Sequence, residues 1–311
     1  MKKLLITGAS GFLGWHLCQL AQTTWQVYGI CHSRAIASRE PQGVASGEPQ
    51  GVVLPPIVSI PLDLTDLAAL TAQFQSLQPD AVIHTAAISS PNACQENPTL
   101  SYAINVSTSW HLAELSAAAQ IPYLFTSSEQ VFNGLNAPYR ETDPVRPINR
   151  YGEQKAAAEV GILERHPAAI LCRMPLMYGV APRPSFIQPF IETLKSGQTL
   201  NLFTDEIRNP VSGTAAAQGL LLALEKQVTG YLHLGGKERL SRYEMGLLLV
   251  DILQIKSAKL NACRQADVPM SAPRPPDASL DSSLAFSLGY APRSMREELR
   301  ELLNYSPPAS D

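Results

Sequence analysis

The sequence predicts an α/β protein with a doubly wound parallel sheet. Short runs of apolar, often β-branched residues alternate with longer segments in which apolar residues have helical spacing. Most of the short runs are apolar throughout, which is typical of strands buried on both faces of a sheet. The alternation continues through the first half of the chain. Right-handed crossovers between such strands give a parallel sheet with helices on both faces.

The first half of the chain supplies the predicted strands and helices in order. The strands cover residues 2–8, 25–31, 56–63, 80–87, 121–128 and 168–174. The helices cover residues 12–22, 67–77, 101–119 and 149–165. Each of the first five strands leads into a helix except the second, which leads into a segment of different composition.

Residues 35–56 interrupt the alternation between the second and third strands. They contain the pentapeptide EPQGV twice, at residues 40–44 and 48–52. Proline and glycine at this density disfavour both a helix and a central strand. The sequence therefore predicts a surface loop insertion here, and two short units are too few for a repeat architecture.

The alternation weakens after Arg173, where prolines become frequent. Short helices are predicted at residues 214–226 and 241–253, with a short strand at residues 230–236 between them. The tail, residues 272–293, is expected to wrap over this region. This part of the chain is predicted to form a smaller α+β lobe beside the sheet.

Composition and charge argue against several classes of partner. The formal net charge of −3 gives no reason to expect binding to nucleic acid or to a membrane surface. The longest apolar runs are far shorter than the roughly 20 residues that cross a bilayer. Glycines interrupt the apolar run near the basic N terminus after a few residues, so no targeting segment is predicted.

Cysteine usage indicates a reducing compartment. The 5 cysteines are odd in number, and none forms a C-x-x-C pair. We interpret them as free thiols, which predicts a cytoplasmic protein. No spacing typical of a zinc or calcium site occurs, so we predict no protein-bound metal.

A glycine-rich turn joins the first strand to the first helix. Gly8, Gly11 and Gly14 have the spacing G-x-x-G-x-x-G. The chain must turn sharply there and bring backbone amides close to a pyrophosphate, which a Cβ would push away. The N terminus of the helix favours an anion. The turn therefore predicts a Rossmann-type dinucleotide site, although it has one more residue than G-x-G-x-x-G. The other contacts expected in this turn are Ser10, Phe12 and Leu13.

The position of this turn divides the chain by function. We predict a dinucleotide-binding domain over residues 1–173 and a substrate-binding lobe with its tail over residues 174–311.

The end of the second strand indicates which dinucleotide is preferred. Proteins of this fold that bind NAD commonly place a carboxylate there for the ribose 2′-hydroxyl. Here the strand end carries no carboxylate, whereas Ser33 and Arg34 follow it. Both residues suit a 2′-phosphate, so NADP(H) is predicted over NAD(H), with NAD(H) kept as the alternative.

The ends of the third and fourth strands complete the predicted cofactor groove. Asp63 is placed to meet the adenine edge, with Leu64 beside it. Asp63 could equally cap the following helix, a role for which Thr65 competes. Small side chains at the end of the fourth strand suit close passage of the cofactor; they are Thr85, Ala86 and Ala87.

Five segments together resemble a known family, the extended short-chain dehydrogenase/reductases. The segments are TGASGFLG, HTAA, LFTSSEQVFNG, YGEQK and RMPLMYG, and the resemblance covers nearly the whole chain. It implies a Rossmann sheet with a nicotinamide cofactor. It also implies cofactor contacts at Asn105 and Met174, and assembly as a homodimer.

The pair Tyr151 and Lys155 is the predicted catalytic centre. The two residues are one helical turn apart, on one face of a predicted helix. A lysine ammonium beside a phenol favours the phenolate and is expected to lower the tyrosine pKa from about 10. Tyr151 would then exchange a proton with the substrate oxygen. The resemblance implies that Lys155 reaches the nicotinamide ribose and that Ser128 holds the carbonyl, with Ser127 and Thr126 as less favoured substitutes.

Within this family, the segments are most similar to dTDP-4-dehydrorhamnose reductases. TSSEQVFNG corresponds to S-T-D-Y-V-F-x-G, and residues 203–213 resemble the substrate segment D-Q-x-G-x-P-T. The resemblance implies NADPH-dependent reduction of a nucleotide-sugar 4-ketone, with Glu129, Gln130 and Arg208 at the substrate. All three depart from the pattern, which has Asp, Tyr and Gly there. Cationic candidates for the nucleotide-sugar phosphates are Arg183, Arg208 and Arg274.

Other functions stay open at this point. A sugar 4-epimerase has the same three catalytic residues, although it usually uses NAD. A 4,6-dehydratase is disfavoured because Gln130 stands where those relatives have a glutamate, and an amide cannot act as a general base. The chain also resembles the regulatory subunit of methionine adenosyltransferase. A reductase or epimerase of another ketone is the remaining alternative.

Overall fold

The computed structural model describes residues 1–32 and 55–304. The strands are β1 (Lys3–Thr7), β2 (Gln26–Cys31), β3 (Val58–Pro61), β4 (Ala81–His84), β5 (Tyr123–Ser128), β6 (Ile170–Met174), β7 (Met177–Tyr178), β8 (Thr199–Phe203), β9 (Ile207–Arg208), β10 (Val211–Ser212), β11 (Gly230–His233), β12 (Leu240–Ser241) and β13 (Lys259–Cys263). The helices are α1 (Phe12–Ala21), α2 (Leu67–Leu77), α3 (Pro91–Glu96), α4 (Pro98–Tyr102), α5 (Thr108–Ala118), α6 (Arg150–Arg165), α7 (Ile187–Lys195), α8 (Gly213–Glu225), α9 (Arg242–Leu253), α10 (Ser283–Ser287) and α11 (Met295–Asn304). The predicted insertion at residues 35–56 falls almost entirely outside the described residues.

The central sheet has seven strands in the order β11-β6-β5-β4-β1-β2-β3, and every pairing in it is parallel. The predicted α/β class with a parallel Rossmann sheet is therefore confirmed. The order reverses between β1 and β4. In open α/β sheets, ligands bind at such a reversal, outside the carboxyl ends of the strands.

Two elements that the sequence predicts in the second lobe are part of the Rossmann unit: one is a strand of the central sheet, and the other is a helix that covers the sheet. Residues 230–233 pair with β6 as the seventh strand, and α8 packs on α1 over one face of the sheet. The sequence could not show this assignment, because the pairing of β11 with β6 joins distant parts of the chain. The remainder of the lobe consists of short strand pairs with α7, α9 and α11 around a separate apolar core.

The predicted helix at residues 101–119 is divided by a π-helical turn. Residues Ala103–Ser107 form this turn between α4 and α5. An extra residue in a helical turn changes the direction of the side chains that follow, and such turns are frequent at functional sites. Asn105 lies within it.

N-cap residues fix where α2 and α6 begin. Asp66 caps α2 by accepting a hydrogen bond from the Ala69 amide at 2.9 Å, so neither Asp63 nor Thr65 is the cap. Asn149 caps α6 through the Gly152 amide, also at 2.9 Å. Caps of this kind contribute about 1 kcal/mol each.

Candidate functional site

The glycine turn places backbone amides at the carboxyl edge of the sheet. Gly8 has φ +70°, and a Cβ there would lie 2.7 Å from the Ala86 backbone. A Cβ on Gly14 would lie 2.2 Å from the Gly8 carbonyl oxygen. Only glycine at both positions lets the first turn of α1 approach the ends of β1 and β4 so closely.

The N terminus of α1 is suited to an anion. Gly11 is its N-cap residue and provides no side-chain cap, and the first turn contains no acidic residue. The first amides of a helix have no partner within it, and the helix dipole favours negative charge at this end. Leu13 is buried in the core, so only its backbone could contact a ligand. These features fit the pyrophosphate of a dinucleotide.

One groove connects this turn with the ends of β2 and β4. It is lined by Gly8, Ser10, Gly11, Ile30, His32, Leu62, Asp63, Leu64, Thr85, Ala86, Ala87, Ile88, Ile104 and Arg183. The predicted cofactor residues that share this groove are Gly8, Ser10, Gly11, Asp63, Leu64, Thr85, Ala86 and Ala87, whereas Phe12, Leu13, Gly14, Asn105, Tyr151, Lys155 and Met174 do not line it. The apolar walls of the groove and His32 were not predicted from the sequence. Ile30 and His32 nevertheless lie at the end of the second strand, the position from which the cofactor preference is inferred. Ser33 and Arg34 lie outside the described residues.

Asp63 faces the groove without capping a helix. Its Oδ1 accepts hydrogen bonds from the Thr65 amide at 2.9 Å and the Thr65 hydroxyl at 2.8 Å. These hydrogen bonds lower the pKa of Asp63, so its carboxylate is charged at neutral pH. His32 Nε2 lies 4.0 Å from the other carboxylate oxygen.

The side chain of Asn105 makes its hydrogen bonds within the protein. Its Oδ1 accepts from the Ile88 amide at 2.9 Å, and its Nδ2 donates to Gln154 Oε1 at 2.8 Å. The side chain is fully buried. In this structure it positions the segment that follows β4 against α6, which differs from the predicted direct contact with the cofactor.

The structure brings Ser128, Tyr151 and Lys155 together at the ends of β5 and α6. Ser128 ends β5, where its hydroxyl accepts a hydrogen bond from the Gln130 amide at 3.2 Å and lies near enough to the Tyr151 phenol to affect its pKa. Lys155 Nζ lies 5.9 Å from the centroid of the Tyr151 ring. All three side chains are buried. The sequence reasoning missed Gly152, where a Cβ would lie 2.1 Å from the Gln130 carbonyl oxygen and would force α6 away from β5.

The predicted lowering of the Tyr151 pKa by Lys155 is wrong for this structure. Burial raises the pKa of Tyr151 above its ordinary value, and the hydrogen bond from Ser128 only opposes this rise. Lys155 donates to the Thr126 carbonyl oxygen at 2.8 Å, and burial lowers its own pKa to about 7. A lysine that is only partly charged at neutral pH stabilises the phenolate less than the sequence alone suggested.

Arg208 is buried, and it does not line the groove. Its Nε lies 2.9 Å from Glu129 Oε1, and its Nη2 lies 3.5 Å from Glu206 Oε1. Its Nη1 donates to the Ile207 carbonyl oxygen at 2.6 Å. The guanidinium is thus committed to protein acceptors, which contradicts its predicted role as a phosphate ligand. Arg208 instead fixes the carboxylate that follows Ser128.

Gln130 and Arg274 also have protein partners. Gln130 Oε1 accepts from Asn149 Nδ2 at 2.9 Å, which ties it to the N-cap of α6. Arg274 donates to Asn92 Oδ1 at 3.0 Å. Met174 is buried beside Ser128, with which it pairs in the sheet. The burial of Met174 beside Ser128 agrees with a wall next to the catalytic residues.

A second buried ion pair supports the end of β5. Arg173 donates to both carboxylate oxygens of Glu159, at 2.9 Å each, and Ser127 hydrogen-bonds the same carboxylate at 2.5 Å. His84 and His233 are buried with pKa values lowered to about 3 by burial, as expected for core histidines.

The fold and this site define the class of protein. A parallel Rossmann sheet carries a glycine turn at its carboxyl edge and a Ser-Tyr-Lys set beside it, as in the extended short-chain dehydrogenase/reductases. The sequence model of the RmlD substrate binding domain family matches residues 1–306, and the chain belongs to this family. No helix within residues 1–32 and 55–304 has both the length and the apolarity to cross a membrane.

Proteins similar to this chain include methionine adenosyltransferase subunits and dTDP-4-dehydrorhamnose reductases, and UDP-glucose 4-epimerases share its fold. Methionine adenosyltransferase 2 subunit beta of Xenopus laevis is 29% identical over 97% of this chain and 87% of its own length. A solved structure from Sulfolobus tokodaii, described as a hypothetical dTDP-4-dehydrorhamnose reductase, is 28% identical with a TM-score of 0.78 and covers 92% of this chain and 94% of its own. The dTDP-4-dehydrorhamnose reductase of Bacillus anthracis, solved with NADP, shares the fold with a TM-score of 0.82 at 20% identity, covering 98% of this chain and 100% of its own.

Proposed function

We propose that the protein is an NADPH-dependent reductase of a nucleotide-sugar 4-ketone. One observation carries the proposal: Ser128, Tyr151 and Lys155 lie together at the same sheet edge as the groove that begins at Gly8. A regulatory protein has no need of this arrangement. Family membership supports the same class of activity.

Each residue of the set has a distinct task. A bound nicotinamide dinucleotide supplies the hydride. Tyr151 donates its phenolic proton to the carbonyl oxygen, and Ser128 holds that oxygen by a hydrogen bond. The raised pKa of Tyr151 keeps the phenol protonated at neutral pH, which is the form that reduction requires. Lys155, one turn further along α6, holds the dinucleotide and returns a proton to the phenol.

NADP(H) is the proposed cofactor. In the described part of β2, Cys31 and His32 stand where an NAD-binding protein commonly has a carboxylate. The relative from Bacillus anthracis was crystallised with NADP. Calorimetric titration with NADPH and with NADH tests the preference. Tighter binding of NADPH supports it, and tighter binding of NADH contradicts it.

A panel of 4-keto nucleotide-sugars with NADPH tests the reaction. Turnover is followed by the absorbance of the reduced nicotinamide. We expect one or more dTDP-linked 4-keto-6-deoxysugars to be reduced. Failure to reduce any member, by a folded protein that binds NADPH, would contradict the proposed substrate class.

The likeness to methionine adenosyltransferase subunits favours a second candidate function. The alignment with the Xenopus laevis subunit, at 29% identity, covers 97% of this chain and therefore includes both the sheet and the second lobe. In this case the chain would be a subunit of such an enzyme. Co-elution with a methionine adenosyltransferase catalytic chain tests this function, and Tyr151→Phe should leave the association unchanged.

A further inference from the structure

Arg183 reaches the cofactor groove from the second lobe. It lies between β7 and α7, yet it lines the groove with Gly8, Ser10 and Gly11. The sequence predicts Arg183 as a ligand of nucleotide-sugar phosphates. In the structure it lines the same groove as the turn where a dinucleotide phosphate is expected.

The loop that carries Arg183 is closed by side-chain hydrogen bonds. The Ser185 hydroxyl donates to the Gly179 carbonyl oxygen at 3.1 Å, and Gln188 Nε2 donates to the same oxygen at 2.5 Å. The Ser185 amide donates to Gln188 Oε1 at 2.9 Å. Prolines stand on both sides of Arg183 and restrict its neighbours to few backbone conformations. The backbone of the loop at Arg183 therefore has little conformational freedom to lose on binding.

The base of this loop packs on the helix that begins at the glycine turn. A Cβ on Gly179 would lie at contact distance, 3.4 Å, from the tip of the Phe12 ring, so the base of the loop lies against the first residue of α1. This contact joins the loop that carries Arg183 to the helix whose N terminus borders the groove.

The charge of Arg183 is available to a ligand. The residue is exposed, and it makes no hydrogen bond or ion pair with residues 1–32 or 55–304. The other titratable groups that line the groove are His32 and Asp63, and these two lie within 4.0 Å of each other. Arginine binds phosphate through several parallel donors, which gives both affinity and orientation.

We propose that Arg183 is a phosphate clamp that closes the groove over the bound dinucleotide from the second lobe. This inference rests on the proposed cofactor site and adds a residue from outside the nucleotide-binding half. The phosphate is either the pyrophosphate at the glycine turn or the ribose 2′-phosphate. Both have the same chemistry, and the choice between them is made by experiment.

Calorimetry with NADPH, NADH and dTDP tests the clamp in the full-length protein. Arg183→Ala should weaken NADPH binding at least about tenfold, as expected for loss of a charge-assisted hydrogen bond, and Arg183→Lys should recover part of the loss. Equal weakening of NADH identifies the pyrophosphate as the ligand, and weakening of NADPH alone identifies the 2′-phosphate. Arg140→Ala is the control, because Arg140 is also exposed and does not line the groove.

Three outcomes would overturn the clamp. If Arg183→Ala binds both dinucleotides as the wild type does, the arginine contributes nothing to the groove. If only dTDP binding is lost, Arg183 serves the nucleotide-sugar instead. A wild-type protein that binds neither dinucleotide would refute the proposed function itself, and the clamp with it.

Discussion

Arg208 Nε lies 2.9 Å from Glu129 Oε1, and both side chains are almost completely buried, at 2% and 5% exposure. This ion pair joins β9 of the second lobe to the residue that follows Ser128. Glu206 and Arg242 extend it, with Arg242 Nε 3.2 Å from Glu206 Oε1. The substrate lobe is thus connected to the catalytic strand by alternating buried charges.

Breaking this pair should destabilise the protein strongly. Arg208→Met leaves the Glu129 carboxylate buried without its partner, and we expect a loss of about 3–5 kcal/mol in the free energy of unfolding. The double variant with Glu129→Gln should recover much of that loss, because neither charge is then left alone. Arg239→Met is the control, since Arg239 is half-exposed in its pair with Asp277 and should cost at most about 1 kcal/mol. Denaturant unfolding of the four proteins measures these differences.

Glu129 should also affect the pH dependence of catalysis. Its carboxylate is among the charges that raise the pKa of Tyr151, after burial itself. Glu129→Gln removes this charge, so the phenol should lose its proton at a lower pH. We expect the alkaline fall of the reduction rate to move to lower pH in this variant. An alkaline limb that stays in place would show that Glu129 does not act on the phenol.

Burial of Lys155 should make stability depend on pH. Its pKa falls from 10.5 to about 7 in the folded protein, so the unfolded chain binds more protons between these values and stability rises with pH across this range. Lys155→Met does not titrate. We expect the variant to be more stable relative to the wild type at pH 7 than at pH 10, by on the order of a few kcal/mol. Lys195→Met, at an exposed position, should show no such trend.

Substitution of Gly14 should separate cofactor binding from overall folding. In Gly14→Ala the new Cβ would lie 2.2 Å from the Gly8 carbonyl oxygen, so the glycine turn must move. We expect NADPH affinity to fall at least about tenfold, because the amides no longer meet the phosphate. Gly219→Ala is the matched helical control. Its Cβ would meet the side chains of Leu234 and Tyr290 at 3.0 Å, away from the glycine turn, and NADPH binding should be unchanged.

The sequence predicts the parts of this site that depend on local pattern. The glycine turn, the strand ends and the spacing of Tyr151 and Lys155 are each contained in a short segment, where backbone geometry limits the choice of residue. The structure places these segments together because parallel strands end at one edge of the sheet.

The parts that the sequence did not predict depend on contacts between distant segments. Arg208 was expected at the substrate because only its own loop could be compared, and its partner Glu129 lies far away in the chain. The strand at residues 230–233 is likewise predicted in the second lobe, because its pairing with β6 joins segments that are distant in the chain. The direction of the Tyr151 pKa shift depends on burial, which no spacing of residues reveals.

Single-turnover reduction by Tyr151→Phe tests the central claim most directly. The variant keeps the ring and removes only the phenolic proton. With the nucleotide-sugar that the wild type reduces, we expect the rate to fall by about 10²–10⁴-fold while the affinity for NADPH is unchanged. A variant that reduces the same substrate at the wild-type rate would contradict the claim that Tyr151 delivers the proton.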